Sequence, residues 1–433
     1  MTGTELLYQH YLKNPLICTD TRRITPGCLF FALRGDKFDA NTFAEQALTM
    51  GAAYAVVDNI KYKTSDRCIL VPDVLSALQD LARHHRSKLN IPVVGLTGTN
   101  GKTTTKELIN AALLPKYRTF ATQGNLNNHI GVPLSILSIP SGTEIAVIEM
   151  GANHQKEIEF LCGIADPTHG MITNVGMAHL EGFGGFEGVK KGKGELYTYL
   201  ANHGREAFVN QDNAHLQEMG RIAGLQQIIS YGKDPGNDVW GELLTADPLI
   251  SLSWSDTTGT YNASVNLTGA YNFENILAAI CIASYFGVSA GQIAEGLAGY
   301  HPNNNRSQLT ETSYNKVICD FYNANPSSMS AALGNLGRLT ANRKVIIIGD
   351  MFELGDESET QHANIAGEAA AVGADELYFV GEAFSRLRDK QPGRYFATPA
   401  EALDYFQEHP VRNSLVLLKG SRGMALEQLL PLL

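Results

Sequence analysis

The sequence predicts an α/β protein of three units, and three observations lead there. A chain of 433 residues, 44% of them hydrophobic, is long enough for several packed cores. Short apolar runs ending in Gly or Asp alternate with longer helical patterns, as parallel strands and crossover helices require. One run opens onto a glycine-rich loop and then a helix, the order of a phosphate-binding loop.

The elements follow in chain order. A helical stretch over Val74 to Lys88 closes a first unit, 1–90, before Ile91-Pro92. A strand at Val93–Leu96, the loop behind it and a helix over Lys106–Leu114 open a second unit, 91–302. Further strands are expected at Ile145–Met150 and Met171–Asn174. Tyr300-His301-Pro302 and the asparagines at 303–305 read as a linker. The third unit, 303–433, should hold four or five strands, among them Val345–Ile348, Leu377–Val380 and Leu415–Leu418.

Charge and composition exclude several classes. The net charge is −10, whereas electrostatic nucleic-acid binders carry a basic surplus, so no nucleic-acid partner is expected. The six cysteines contain no CxxC pair and are too few for a disulfide scaffold, which points to a reducing, cytoplasmic setting. MTGTELLYQHYLKNP lacks the pattern of a signal peptide, and nowhere do 18 apolar residues run together. A monomer is expected.

The strongest chemical signal is Gly98-Thr99-Asn100-Gly101-Lys102-Thr103-Thr104. Glycines let successive N–H groups turn inward onto phosphate oxygens, and the following helix start adds partial positive charge. Lys102 can reach β and γ phosphates, and the Thr103 hydroxyl can ligate Mg²⁺. The spacing is shorter than the usual P-loop, since Leu96 stands where the first glycine would be.

Mg²⁺ also needs hard oxygen ligands. Glu149 ends an apolar run and would sit near the loop if the strands are neighbours; alternatively it is a helix N-terminal carboxylate. His179 follows another run and is either a ligand or a hydrogen-bonded structural histidine. Lys190, Lys191 and Lys193 read by themselves as a solvated helix face. Lys419-Gly420-Ser421-Arg422-Gly423 is equally a strand-to-helix turn or an anion contact.

Together these segments resemble the Mur ligases, ATP-dependent amide-bond-forming enzymes of peptidoglycan precursor synthesis. TGTNGKTT at 97–104 resembles the family's shortened phosphate loop. EMGAN at 149–153, ITNVGMAHLEGFG at 172–184 and KGELY at 193–197 resemble its metal-site and lysine motifs. GAYNFENILAA at 269–279 resembles a central-domain motif, with Tyr271 where many members have His, and Arg306 resembles the arginine that opens the third domain. CTDTRRITPGCLFFALRGDKFDANTF at 18–43 is similar to a uridine-diphosphate-binding block, with Thr21 and Asp39-Ala40-Asn41 as departures. ATQGNLNNHIGVPLSIL at 121–137, DFYNANPSSM at 320–329 and GDMFELGDESETQH at 349–362 resemble the branch that adds the terminal dipeptide. Phe321 departs there from the usual serine.

The resemblance implies a small α/β UDP-binding domain, a central P-loop ATPase-like domain with a parallel-rich sheet, and a C-terminal Rossmann-like α/β domain. It implies ATP as phosphate donor, two Mg²⁺ ions, and UDP-N-acetylmuramoyl-tripeptide and D-alanyl-D-alanine as substrates joined through an acyl phosphate. Gly98 to Thr104 would hold phosphates, and Thr103, Glu149, His179 and Lys193 the metal ions. Lys102, His179 and Lys193 would be catalytic, with Lys193 carbamylated. Asn272 and Asn275 share a helix face and would meet adenine, although Asn272 could instead cap the helix. Arg306, Asp320, Asn323 and Asn325 would close over ribose and phosphates, although Asn323-Ala324-Asn325-Pro326 alone reads as a turn. Thr21, Arg22, Asn41, Asn127 and Asn128 would touch the UDP-linked substrate. The three domains would close around one site. A sister ligase adding the third amino acid, or a non-catalytic nucleotide switch on the same fold, is the competing reading. Dependence on an amine acceptor separates the last from the others.

Overall fold

The computed structural model describes residues 3–433. Met1 and Thr2 of the opening segment lie outside the described residues, and Gly3–Lys13 is a helix. No helix among the described residues is long and apolar enough to cross a membrane.

Three main sheets succeed one another along the chain, beside a two-stranded ribbon at 34–39. The first has four parallel strands, in the order Ile17–Cys18, Leu29–Phe31, Tyr54–Val57 and Cys68–Leu70. The predicted helix at its end runs Val74–Arg86 and starts where Asp73 accepts from the Ser76 N–H.

The second sheet has nine strands. Its centre is parallel, with Val93–Thr97 between His169–Ile172 and Ile145–Glu149. All three strands are buried along their whole length, because helices cover both faces. At one side the sheet turns antiparallel through Val239–Thr245, Ile250–Asp256 and Gly259–Val265. The parallel-unit reading of the sequence missed this extension. Its strands alternate buried and exposed residues and lack the continuous apolar runs that marked the others.

The third sheet has six strands, one or two more than expected. The antiparallel edge strand Gln308–Glu311 is polar and half-exposed, so it carried no apolar signal. The five others are parallel, in the order Lys316–Asp320, Leu415–Lys419, Lys344–Gly349, Glu376–Val380 and Arg394–Phe396.

The packing is uneven between units. One hydrophobic cluster contains Leu7, Phe31, Val74 and Leu78 of the first unit together with Val93, Val132 and Ile148 of the second. Buried Arg86 reinforces this joint by donating to the carbonyls of Ala165 and Asp166, both at 2.8 Å. The clusters around the third sheet contain only residues from 317 onward, with Leu309 packed at the margin.

Candidate active site

The strand order places the chemistry. The strand after Val93–Thr97 skips one place and pairs at the sheet edge, and later strands fill both sides. This is a topological switch point, where a crevice opens beyond the carboxyl ends of the strands. Leu96 pairs with Glu149 and Thr97 with Ile172, so the neighbouring strands end level with the loop.

The loop is pinned from one side. The N–H groups of Thr99 and Asn100 donate to Asn174, at 3.0 and 2.9 Å, and Thr173 Oγ1 donates to Asn100 O at 2.7 Å. Gly101 has φ +78°, and a Cβ there would come 2.8 Å from Asn275 Oδ1. Only glycine allows both the backbone turn and that approach. The helix then runs Lys102–Leu113, beginning four residues earlier than the periodicity suggested.

The cleft beyond the loop has a volume of about 890 Å³. Its walls include Gly101 to Thr104, Glu149, His179, Asn272, Asn275, Arg306, Asp320, Asn323 and Asn325. Residues from the second and third sheets therefore meet there.

Two stretches of the chain match known domains: residues 96–283 the Mur ligase middle domain, and residues 305–422 the Mur ligase, glutamate ligase domain. The UDP-N-acetylmuramoyl-tripeptide--D-alanyl-D-alanine ligase of Bacillus subtilis (strain 168) is 35% identical over 95% of this chain and 92% of its own length. The chain belongs to the Mur ligase family. The corresponding Escherichia coli (strain K12) ligase is 34% identical, with the same coverage. A crystal structure of MurF from Acinetobacter baumannii superposes with a TM-score of 0.87 at 31% identity, covering 99% of this chain and 97% of that one. MurF ligase from Thermotoga maritima in complex with ADP gives 0.85 at 26% identity, covering 97% of each.

In this Mur ligase burial lowers the pKa of three basic groups, Lys102, Lys193 and His179. Lys102 donates to the Gly98 and Thr99 carbonyls at 2.7 and 2.9 Å. Burial, partly offset by Glu149 and reinforced by Arg306, brings its pKa down to about 8. Lys193 is only 2% exposed, lies over the Phe183 ring and donates to Ala152 O at 3.0 Å. Burial first, and then Lys102, push its pKa far below that of a free lysine. Lys190 is different: it pairs with Glu187 and Glu218. Burial also lowers the pKa of His179, against the pull of Glu353 and with help from Lys102 and Lys193.

Glu149 tests the fit of the ligase site to Mg²⁺. Its Oε1 accepts from Asn127 Nδ2 at 2.8 Å, while its Oε2 is buried without a protein partner. A lone carboxylate oxygen in a polar cleft suits a hard divalent cation. Among the described residues, no three His, Cys, Asp or Glu side chains form a ready metal cluster. Mg²⁺ sites commonly combine few protein ligands with water and substrate phosphates.

Several expected residues have structural partners in the ligase. Asn272 makes no side-chain cap; it donates to Thr268 O and accepts from Asn275 Nδ2, at 2.8 and 2.9 Å. Asn128 Oδ1 accepts from the N–H groups of Ile130 and Gly131 at the start of the helix Gly131–Leu137. Asn323 Oδ1 accepts from the Ala324 N–H within its own turn. Asp320 is held by Lys419, whose buried ammonium donates to Oδ2 at 2.7 Å. Lys419 thus serves a buried ion pair as well as the cleft wall.

Thr21, Arg22 and Asn41 belong to the first unit and are absent from the cleft walls. Arg22 is engaged with Asp20. Asn41 is fully buried; its amide donates to Asp39 and Asp58, and its oxygen accepts from the Asp58 N–H. Those bonds spend its side chain on the fold and count against direct ligand contact.

The sequence reading gave no role to Asn174, Tyr322, Ser327 or Glu353. Tyr322 has the guanidinium of Arg306 3.9 Å from its ring centroid and that of Arg422 at 5.0 Å. Each lies in a segment already marked as a motif, but only the folded chain reveals its partner.

Proposed function

We propose that this Mur ligase joins D-alanyl-D-alanine to UDP-N-acetylmuramoyl-tripeptide with hydrolysis of ATP to ADP and phosphate. One observation carries the reading: a single cleft collects the phosphate loop with Lys102, a carboxylate with a free oxygen, an imidazole and polar groups of the third unit. The relatives that align over nearly the whole chain are named for this reaction.

A carboxylate oxygen of the tripeptide attacks the γ-phosphorus and ADP leaves. The neutral amine of D-alanyl-D-alanine then attacks the acyl carbon, the nitrogen gives up one proton to solvent, and phosphate leaves from a tetrahedral intermediate as the amide forms. Both steps bring negative groups together, so fixed cations and N–H donors must be placed in advance. Lys102 and the N–H groups at the helix start, Gly101 to Thr104, would neutralise the β and γ phosphates, with Gly98, Thr99 and Asn100 shaping the loop around them. Asn272 and Asn275 would face adenine, and Arg306, Asp320, Asn323 and Asn325 ribose and phosphates. Thr21, Arg22, Asn127 and, less directly, Asn41 and Asn128 would support the UDP-linked substrate.

Thr103 and Glu149 would hold one Mg²⁺, and His179 and Lys193 a second. When bound, the ions supply charge stabilisation at the transferring phosphoryl group. Lys193 suits carbamylation, since burial favours the neutral amine that attacks CO₂. The new N–C bond forms, the amine loses a proton to solvent, and a cation becomes an oxygen ligand. We place the enzyme in the cytoplasm, acting as a monomer with three domains, 1–90, 91–302 and 303–433, of which the third closes on the others.

The test is phosphate release from ATP with UDP-N-acetylmuramoyl-tripeptide, with and without D-alanyl-D-alanine, under Mg²⁺ and bicarbonate. Release requiring both substrates, with a UDP-pentapeptide seen by mass, is the expected result. Release indifferent to both would replace the ligase with a nucleotide switch.

A further inference from the structure

We infer that Glu353 is a positioning residue for His179, through which the third unit sets the orientation of an imidazole that lines the reaction cleft. The inference rests on the ligase reading for its kinetic consequences, but its geometry does not.

His179 Nδ1 lies 2.5 Å from Glu353 Oε2. Among the described residues, Glu353 has no other ion-pair or hydrogen-bond partner. Its loop is rooted firmly in the third unit. Asp350 accepts from the N–H groups of Ala383 and Phe384, Met351 N–H donates to buried His362, and Phe352 N–H donates to Ser421. Glu353 therefore projects from an anchored base onto a residue of another unit.

Both partners hold left-handed backbone conformations, with φ +52° at His179 and +61° at Glu353. For residues with a Cβ this conformation is strained, and such strain persists where surrounding structure imposes it. Two positions further on, Gly355 packs so closely that a Cβ would come 3.3 Å from Glu181 Oε2. The two loops are thus fitted to each other around the His179–Glu353 contact.

An exposed carboxylate paired with histidine contributes little to stability. Its consequence is directional. With Nδ1–H donating to Glu353, the imidazole takes one tautomer and Nε2 is left as the free ring nitrogen. His179 is oriented in this way only when the third unit is docked.

The experiment compares wild type, Glu353→Ala and Glu353→Gln as full chains with ¹⁵N-labelled histidine. A His179→Gln spectrum identifies the His179 signals. Wild type should show the Nδ1–H tautomer, Glu353→Ala should lose it, and Glu353→Gln should keep it because the amide oxygen still accepts. Supporting-shell losses of this kind cost about 10–100-fold, so kcat should fall by that factor in Glu353→Ala and largely recover in Glu353→Gln. KM for ATP should stay near the wild-type value in all three. Unchanged His179 signals in Glu353→Ala would overturn the inference, whatever the kinetics. So would a wild-type kcat in Glu353→Ala. If the wild-type enzyme makes no pentapeptide, the ligase reading fails, while the spectra still decide the contact.

Discussion

Asn325 Nδ2 donates to Asn100 Oδ1 at 2.8 Å, so the residue that caps a helix of the third unit also holds the phosphate loop of the second. Its Oδ1 meanwhile accepts from the Ser328 N–H at the start of the helix Pro326–Arg338. Asn100 answers with a bond to Ser327 Oγ at 2.8 Å. One side chain thus combines a local folding role with a contact between units.

The two roles can be separated. Asn325→Asp keeps a good capping oxygen but removes the amide donor. It should leave the melting temperature close to wild type and raise KM for ATP. Asn325→Ala loses both, adding a stability cost of about 1 kcal/mol. Thermal melts and ATP titration of initial rates check the split.

Lys419 and Asp320 form a buried pair, with side-chain exposures of 2% and 15%. Removing one partner leaves the other uncompensated, at a typical cost of about 3–5 kcal/mol. Lys419→Ala should lower stability by that order in urea unfolding. Asp320→Asn together with Lys419→Met should recover much of it, because no lone charge remains.

Glu149→Gln tests the free carboxylate oxygen. The amide can still accept from Asn127, so the fold should survive, as read by circular dichroism. Losing the charge beside the phosphates should lower kcat by at least about 100-fold, the equivalent of roughly 3 kcal/mol in the barrier. Chelation of Mg²⁺ should silence wild type and variant alike, and added Mg²⁺ should restore only wild type.

Acid stability should depend on Asp166. Burial pushes its pKa up, but hydrogen bonds from Arg205 and Tyr199 and the charges of Arg205 and Arg86 bring it below the ordinary value. A depressed folded-state pKa gives stability that is present above the unfolded value, near 3.9, and lost as pH falls through the folded one. Asp166→Asn should therefore lose stability at neutral pH and show a flatter decline below about pH 4. Urea unfolding across pH 2–7 checks the sign.

Much of what lines the cleft was legible because its signals are local. The phosphate loop needs only a strand, glycines and a helix in order, and Glu149 needed only an apolar run to end in a carboxylate. Burial at Lys193 could not be read from three neighbouring lysines, since the helix Phe186–Asn202 turns Lys193 inward and leaves Lys191 exposed. The Glu353–His179 contact spans units, and no spacing rule connects residues brought together by packing. The antiparallel extension of the second sheet escaped notice for the opposite reason: its alternating pattern is weaker than a continuous apolar run. At Asn41 the bonds to Asp39 and Asp58 become visible only in three dimensions.

The shared cluster of Leu7, Val74, Val93 and Ile148 has a consequence for how the molecule comes apart. Units that share apolar core melt together, whereas a unit with its own core can open separately. Heating should therefore produce two cooperative transitions rather than three, with the region through residue 302 behaving as one block and the remainder as another. Nucleotide bound between the blocks should draw the two transitions toward each other in calorimetry.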